Sequence, residues 1–282
     1  MTTRMVAVEG AELCVETFGD PGDPTVLLIN GGGQSMDWWE TGFCRLLADA
    51  GRQVVRYDHR DVGRSTGSPR GEPTYTGTDL TTDPLRILDA LDIDRAHVAG
   101  MSMGGGIAQS LAIHHGDRLA SLTLVATSRM GDDLPGPAPA VLKSFVDPVP
   151  DPDWSDRAQQ IDYRVAIERP YVGSLGLDEQ RVRRLATEEV DRAGGLGAGL
   201  TNHFIAAQDD DDEDLRSGIP RIGVPTLVLH GTDDPMFPLP HGEALAREIP
   251  GAVLVPVPGM GHEIPPPPTW DLVVPRLVDH TR

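Results

Sequence analysis

The chain has 282 residues, of which 39% are hydrophobic and 24% charged, and a formal net charge of −19. That composition fits a folded body with a sizeable core. It excludes wholesale disorder, a collagen repeat and a disulfide scaffold, since Cys14 and Cys44 are the only cysteines and read as small core residues. With 43 acidic against 24 basic side chains there is no basic footprint, so neither nucleic acid nor an anionic membrane surface is an expected partner.

In chain order, Met5–Val8 and Glu12–Thr17 read as short strands around a Glu9-Gly10-Ala11 turn. The apolar run Thr25–Ile29 predicts a strand buried on both faces, ending in Asn30-Gly31-Gly32-Gly33. A helix near Trp39–Ala50, a strand over Gln53–Tyr57 and a polar loop from Asp58 to Ser65 follow. Asp79–Leu91 has helical spacing, with Pro84 expected in a first turn or at a later helix start. Strand Ala96–Gly100, helix Ser102–His115 and strand Leu122–Ala126 continue the alternation, which argues for a parallel sheet in an α/β fold.

From about Arg129 to Gly218 the buried strands stop. Pro135–Pro152 is proline-rich, short helical stretches follow, and Asp209–Asp214 is an acidic run best read as a solvated loop or helix end. Strand and helix signals resume at Thr226–Leu229, Ala244–Glu248 and Val253–Val257, and a last helix is expected over Thr269–His280. The expected organisation is a core of residues 1–128 and 219–282 with a helical cap, 129–218, inserted late in a mostly parallel sheet. No run approaches about 18 apolar residues, and the first residues carry no signal-peptide pattern, so a cytoplasmic location is expected.

The chemistry-bearing motif is Gly100-Met101-Ser102-Met103-Gly104, a G-x-S-x-G between an apolar strand and a helix rich in small residues. A serine at such a turn projects its hydroxyl above the sheet edge, beside a helix N-terminus that favours developing negative charge. The plainer reading is a capping serine in a tight turn. A serine nucleophile needs a base. Of nine histidines His262 stands out, because Pro258-Gly259-Met260-Gly261-His262 follows a strand. His230 more naturally bonds locally, and His97, His114, His115, His203, His241 and His280 default to structural roles. The base needs an acid, for which Asp233 and Asp234 after the strand Thr226–Leu229 are the candidates, with Asp132 and Asp133 further off. No dinucleotide fingerprint and no metal-ligand spacing is present, so no cofactor and no metal is expected.

These motifs, in this order, resemble the α/β-hydrolase family. Arg56–Thr66, Asp94–Val98 and Pro258–His262 are further similar to the aclacinomycin-methylesterase group of anthracycline-pathway esterases. The resemblance implies an α/β-hydrolase fold and a serine esterase with Ser102, Asp234 and His262 as its triad. It places the oxyanion donors at the backbone N–H groups of Gly32 and Met103. The substrate implied is a small to medium apolar ester, with a polyketide methyl ester one candidate. Trp38, Gly31 and Gly33 are the expected pocket residues, together with Met103. Carbon–carbon hydrolysis or a pathway decarboxylation by the same triad is the alternative chemistry, and a non-catalytic binding protein the remaining one. The resemblance is weakest over Arg129–Gly218, the part that would shape the pocket. Oligomeric state has no sequence signal.

Overall fold

The structure is a computed structural model that describes residues 1–207 and 212–282. Its strands are β1 (Thr2–Val8), β2 (Ala11–Phe18), β3 (Thr25–Ile29), β4 (Gln53–Tyr57), β5 (Ala96–Met101), β6 (Leu119–Val125), β7 (Thr226–Gly231) and β8 (Val253–Val257). They form one eight-stranded sheet in the order β1-β2-β4-β3-β5-β6-β7-β8. β2 runs antiparallel to β1 and β4, and the remaining neighbours are parallel. β3, β5 and β7 are buried at every residue, which is why their sequences are apolar runs without alternation.

Helices α1 (Thr41–Asp49), α2 (Gly77–Ala90) and α3 (Met103–His114) lie between the early strands. α4 (Pro139–Val146), α5 (Arg157–Glu168), α6 (Glu179–Ala193), α7 (Gly199–Ala206) and α8 (Asp212–Gly218) lie between β6 and β7, and α9 (Pro240–Glu248) and α10 (Trp270–His280) close the chain. Leu80, Ile87, Ile107, Leu111 and Leu245 of α2, α3 and α9 fill one face of the sheet. Phe43, Leu47, Val273 and Leu277 of α1 and α10 fill the other, in a cluster that continues into Ile161, Val165, Val182 and Leu185 of α5 and α6. This is the α/β-hydrolase architecture. The register pairs Ile29 with Gly100, Met101 with Val125 and Gly231 with Val257, so the carboxyl ends of β3, β5, β7 and β8 share one edge. Among the described residues no helix is long and apolar enough to cross a membrane.

Pro84 departs from expectation, because it sits inside α2 rather than at its start. The helix begins earlier because Thr76 and Asp79 form a capping box, in which the Asp79 N–H donates to Thr76 Oγ1 at 3.3 Å and the Thr76 N–H to Asp79 Oδ2 at 3.0 Å. Two helical turns are then in place before the proline removes one backbone bond. Of the acidic run Asp209–Asp214, residues 209–211 lie outside the described residues, and 212–214 belong to α8.

The segment between β6 and β7 is fastened to the sheet domain by charge. Arg192 of α6 reaches Asp58 Oδ1 at 2.7 Å and Oδ2 at 2.6 Å, and Asp37 Oδ2 at 2.7–2.8 Å. Asp58 is fully buried and also accepts the Met36 and Arg64 N–H groups. Arg181 and Arg184 grip Glu40 at 2.7 and 2.6 Å. In α7, Gly199 N–H donates to Asp61 O at 3.0 Å, and Asn202 Nδ2 to Asp61 Oδ2 at 2.7 Å. Removing the Arg192 guanidinium strands two buried carboxylates. Arg192→Ala is therefore expected to lose ~3–5 kcal/mol of unfolding free energy in urea titration, whereas removal of an exposed arginine, as in Arg157→Ala, leaves the titration midpoint nearly unchanged.

Candidate active site

Ser102 lies at the turn from β5 into α3 with φ +51° and ψ −116°, left-handed backbone that a non-glycine residue adopts only under restraint. The restraint is visible. Ser102 N–H donates to Val125 O at 3.0 Å, and its carbonyl accepts from Gly105 N–H at 2.8 Å and Thr127 Oγ1 at 2.9 Å. The flanking glycines are needed for closeness. A Cβ on Gly100 would run into the Gly104 carbonyl, and one on Gly104 into the Asn30 carbonyl oxygen. The turn is thus pressed against the end of β3, with the serine hydroxyl thrown outward.

His262 arrives from the loop after β8. Its backbone N–H donates to Tyr171 O, in the segment after α5, at 2.8 Å. Its Nε2 lies 2.9 Å from Ser102 Oγ and its Nδ1 3.0 Å from Asp234 Oδ2. The carboxylate can only accept, so Nδ1 carries the proton and Nε2 is left to accept from the hydroxyl. Asp234, in the turn after β7, is 3% exposed, and its Oδ1 accepts the Met236 and Phe237 N–H groups at 2.9 and 2.8 Å. Burial alone would raise the Asp234 carboxyl, but His262, the Phe237 N–H and His230 outweigh it and hold it below the usual carboxylate range. Phe237 packs edge-on to the His262 ring at 5.3 Å and fixes its plane.

The other candidates lie elsewhere. Asp233 is exposed, accepting from Thr232 Oγ1 and, through its other oxygen, from Ser174 N–H. Asp133 pairs with Arg129, and Asp132 is exposed. His230 is buried and bonds Phe237 O at 2.7 Å through Nε2. Gly32 and Met103 flank the serine. Among the described residues neither N–H donates to a protein acceptor, and that of Met103 is the first of α3, where no intrahelical partner exists. Two N–H groups without a protein acceptor are therefore found close to Ser102, one on the next residue of the chain and one in the glycine turn that lines the same cavity.

A cavity of about 570 Å³ opens over these groups. Gly31, Gly32, Met101, Ser102 and His262 form its floor, and Phe145, Tyr163, Ile167, Leu200 and Phe204 of the β6–β7 segment its walls. Three pocket expectations need correction. Trp38 faces a narrow crevice behind His262, since its Nε1–H is drawn to Glu189 at 3.1 Å and its ring is covered by Arg164. Gly33 is turned away, its N–H given to His203 Nδ1 at 2.9 Å. Met103 packs into the core, and its neighbour Met101 lines the cavity instead. Sequence reasoning also missed His203, Tyr171 and Gln34, whose Oε1 accepts the Gly31 N–H at 3.3 Å. No local pattern marks the first two. Gln34 directly follows the glycine run, and that adjacency was its signal.

A family model described as alpha/beta hydrolase fold matches residues 24–266. The chain is 34% identical over 281 residues to the rhodomycin D methylesterase DauP of Streptomyces sp. (strain C5), covering 94% of this chain and 93% of that one. It is 32% identical to the rhodomycin D methylesterase DnrP of Streptomyces peucetius, with the same coverage. Among solved structures, the enol-lactonase of Burkholderia xenovorans LB400 superposes with a TM-score of 0.75 at 27% identity, over 98% of this chain and 99% of that one.

A carboxyl whose folded pKa is depressed adds stability above its unfolded value and loses it as pH falls through the folded one. Asp234→Asn is therefore expected to cost ~2 kcal/mol near neutral pH, the scale of a charge-assisted hydrogen bond. The gap to the parent protein should close below about pH 4, the unfolded carboxylate value. Chemical denaturation at a series of pH values reads this directly, and a gap independent of pH would contradict it.

Proposed function

The chain belongs to the alpha/beta hydrolase family, and from that premise we propose that it is a serine hydrolase of carboxylic esters working through an acyl-enzyme. The observation that carries the reading is the unbroken relay Ser102 Oγ, His262 Nε2, His262 Nδ1, Asp234 Oδ2, with contacts of 2.9 and 3.0 Å. His262 Nε2 takes the hydroxyl proton as Ser102 Oγ adds to the ester carbonyl. The carbonyl π electrons move to oxygen, and the oxyanion is received by the N–H groups of Gly32 and Met103. The imidazolium, steadied by Asp234, then protonates the departing alkoxide. Water then adds to the acyl carbonyl as it gives a proton to the same nitrogen; the acyl–Oγ bond breaks, the imidazolium returns the proton to Ser102 Oγ, and the acid leaves.

The substrate we propose is a small to medium apolar ester, with a methyl ester on a polycyclic polyketide the leading candidate. Two observations support it. The walls supply aromatic faces, and about 570 Å³ is ample for a multi-ring molecule. The two similar proteins above are named for methyl-ester cleavage on rhodomycin D. Residues 129–218 act as the cap that shapes this pocket.

Ser102→Ala is expected to reduce turnover of p-nitrophenyl acetate by ~10⁵-fold or more with the fold intact by circular dichroism. A serine-directed fluorophosphonate should add to the parent protein and not to this variant. Retained ester turnover would remove Ser102 from the chemistry. Phe145→Ala should raise KM for aryl methyl esters by ~10-fold and leave p-nitrophenyl acetate within ~3-fold, because burying one large ring contributes roughly 1.5–3 kcal/mol only when the substrate reaches it. Equal effects on both esters would place Phe145 outside the substrate path. Inertness toward every ester, with turnover of a β-diketone, would favour carbon–carbon cleavage by the same residues.

A further inference from the structure

The oxyanion loop is poorly held by its own bonds. Gly31 to Gln34 form a tight turn whose closing contacts, Gln34 N–H to Gly31 O and Gly31 N–H to Gln34 Oε1, are both 3.3 Å long. Gly33, at φ +67°, sits in left-handed backbone, where glycine has many neighbouring conformations within reach. A loop of this kind would let the Gly32 N–H swing unless something outside held it.

The outside contact is His203. Its Nδ1 accepts the Gly33 N–H at 2.9 Å, and its Nε2–H donates to Arg60 O at 2.7 Å. The ring is fully buried and spans from the glycine turn to the loop after β4. Burial holds its pKa below the ordinary histidine value, and burial, aided by His203, lowers His59 to about 3. His59 lies edge-on to His203 at 5.5 Å, and its Nε2 bonds Asn30 O at 3.2 Å, so two uncharged rings brace the same turn. The turn is packed closely by α7. A Cβ on Gly33 would lie 2.6 Å from Leu200 Cδ2, and one on Gly32 3.0 Å from Phe204 Cζ, so α7 covers the turn on both sides of His203.

We infer that His203, a residue of the β6–β7 segment, is a positioning residue for the oxyanion hole, acting through the Gly33 N–H to keep the Gly32 N–H directed at the reacting carbonyl. It touches neither the cavity nor Ser102, so its action is indirect. The inference rests on the ester-hydrolase reading above, and it makes the β6–β7 segment part of the catalytic geometry as well as a wall of the pocket.

Two polar replacements separate the ring's two bonds. His203→Asn puts an amide oxygen near the Nδ1 position and keeps an acceptor for Gly33. His203→Gln puts its amide near the Nε2 position, keeping the bond to Arg60 O and losing the acceptor. The probe is an aryl trifluoromethyl ketone. Ser102 Oγ adds to its carbonyl, the hydroxyl proton passes to His262, and the resulting hemiketal oxyanion samples the hole. Its inhibition constant is compared with that of the matching aryl carboxylic acid, which forms no oxyanion, alongside kcat and KM on p-nitrophenyl acetate. The Gln variant should lose ~10-fold or more in ketone affinity and in kcat, with acid affinity and KM near those of the parent, while the Asn variant stays within ~3-fold throughout. Equal loss in both variants, loss of acid binding in step with the ketone, or no loss in either overturns the inference. A parent protein that forms no ketone adduct fails at the earlier step, the ester reading itself, and takes this inference with it.

Discussion

The first turn of α3 lies so close to the ends of both β5 and β3 that no side chain fits at Gly100 or Gly104, and the geometry around Ser102 follows from that. Gly100 and Gly104 are the residues at the contact, and Ser102, between them, is left in a backbone conformation that faces its hydroxyl away from the sheet. Because α3 starts immediately after, the first free N–H of a helix stands next to that hydroxyl. Because β3 ends alongside, the glycine turn Gly31–Gly33 begins next to the end of β5. One steric condition thus brings the Ser102 hydroxyl, the start of α3 and the glycine turn after β3 together at one end of the sheet. The strain at Ser102 is offset by bonds to Val125 and Thr127 on the neighbouring strand and its exit.

An acidic protein might be expected to use its few cations at the surface. Here arginines are driven inward as paired clamps. Arg56 with Glu16, Arg60 with Asp83, Arg164 with Glu189 and Arg192 with Asp58 are all largely buried pairs. The planar guanidinium suits this use, because it can satisfy a carboxylate and nearby carbonyls at once. Two of these clamps, Arg164 with Glu189 and Arg192 with Asp58, together with the grip on Glu40, act on the β6–β7 segment, and their distribution is uneven. α6 and α7 are fastened to the sheet domain, whereas α4 exposes Leu142, Phe145 and Val146, the last at 87%. The cavity therefore has one wall, α7, bonded to the sheet domain and another, α4, whose apolar side chains reach solvent.

Much of this was legible in the chain and some was not, for a physical reason. The strands β3, β5 and β7 announce themselves as unbroken apolar runs because parallel strands are buried on both faces. Ser102, Asp234 and His262 each follow such a run within a few residues and sit among glycines or prolines, so local sequence points to them, and the fold brings them within hydrogen-bond distance. The place of Pro84 in α2 departs from expectation, since a proline reads as a helix beginning while the capping pair Thr76 and Asp79 lies eight and five positions earlier. Trp38 was misread for a different reason. Its position near the glycine turn suggested the pocket, but a buried indole N–H must find an acceptor, and Glu189, 151 residues away, supplied it. Contacts of that kind leave no periodic trace. The same holds for His203 and Tyr171, whose partners lie across the chain.

The distribution of the nine histidines shows how the fold keeps the relay unambiguous. His230 lies on the same side of Asp234 as His262, with Nε2 only 3.8 Å from Asp234 Oδ2, and could compete for the carboxylate. It does not, because its Nε2–H is committed to Phe237 O at 2.7 Å, the carbonyl of the residue whose N–H holds Asp234 Oδ1. Burial also keeps His230 below its ordinary pKa, which removes the charge that would draw the acid toward it. His59, His97 and His203 are likewise held down by burial and engaged with carbonyl, hydroxyl or amide partners. His262 differs in having one nitrogen on a buried carboxylate and the other on a hydroxyl at the cavity floor. Its neighbours therefore leave it one proton-accepting nitrogen, directed at the Ser102 hydroxyl and the cavity.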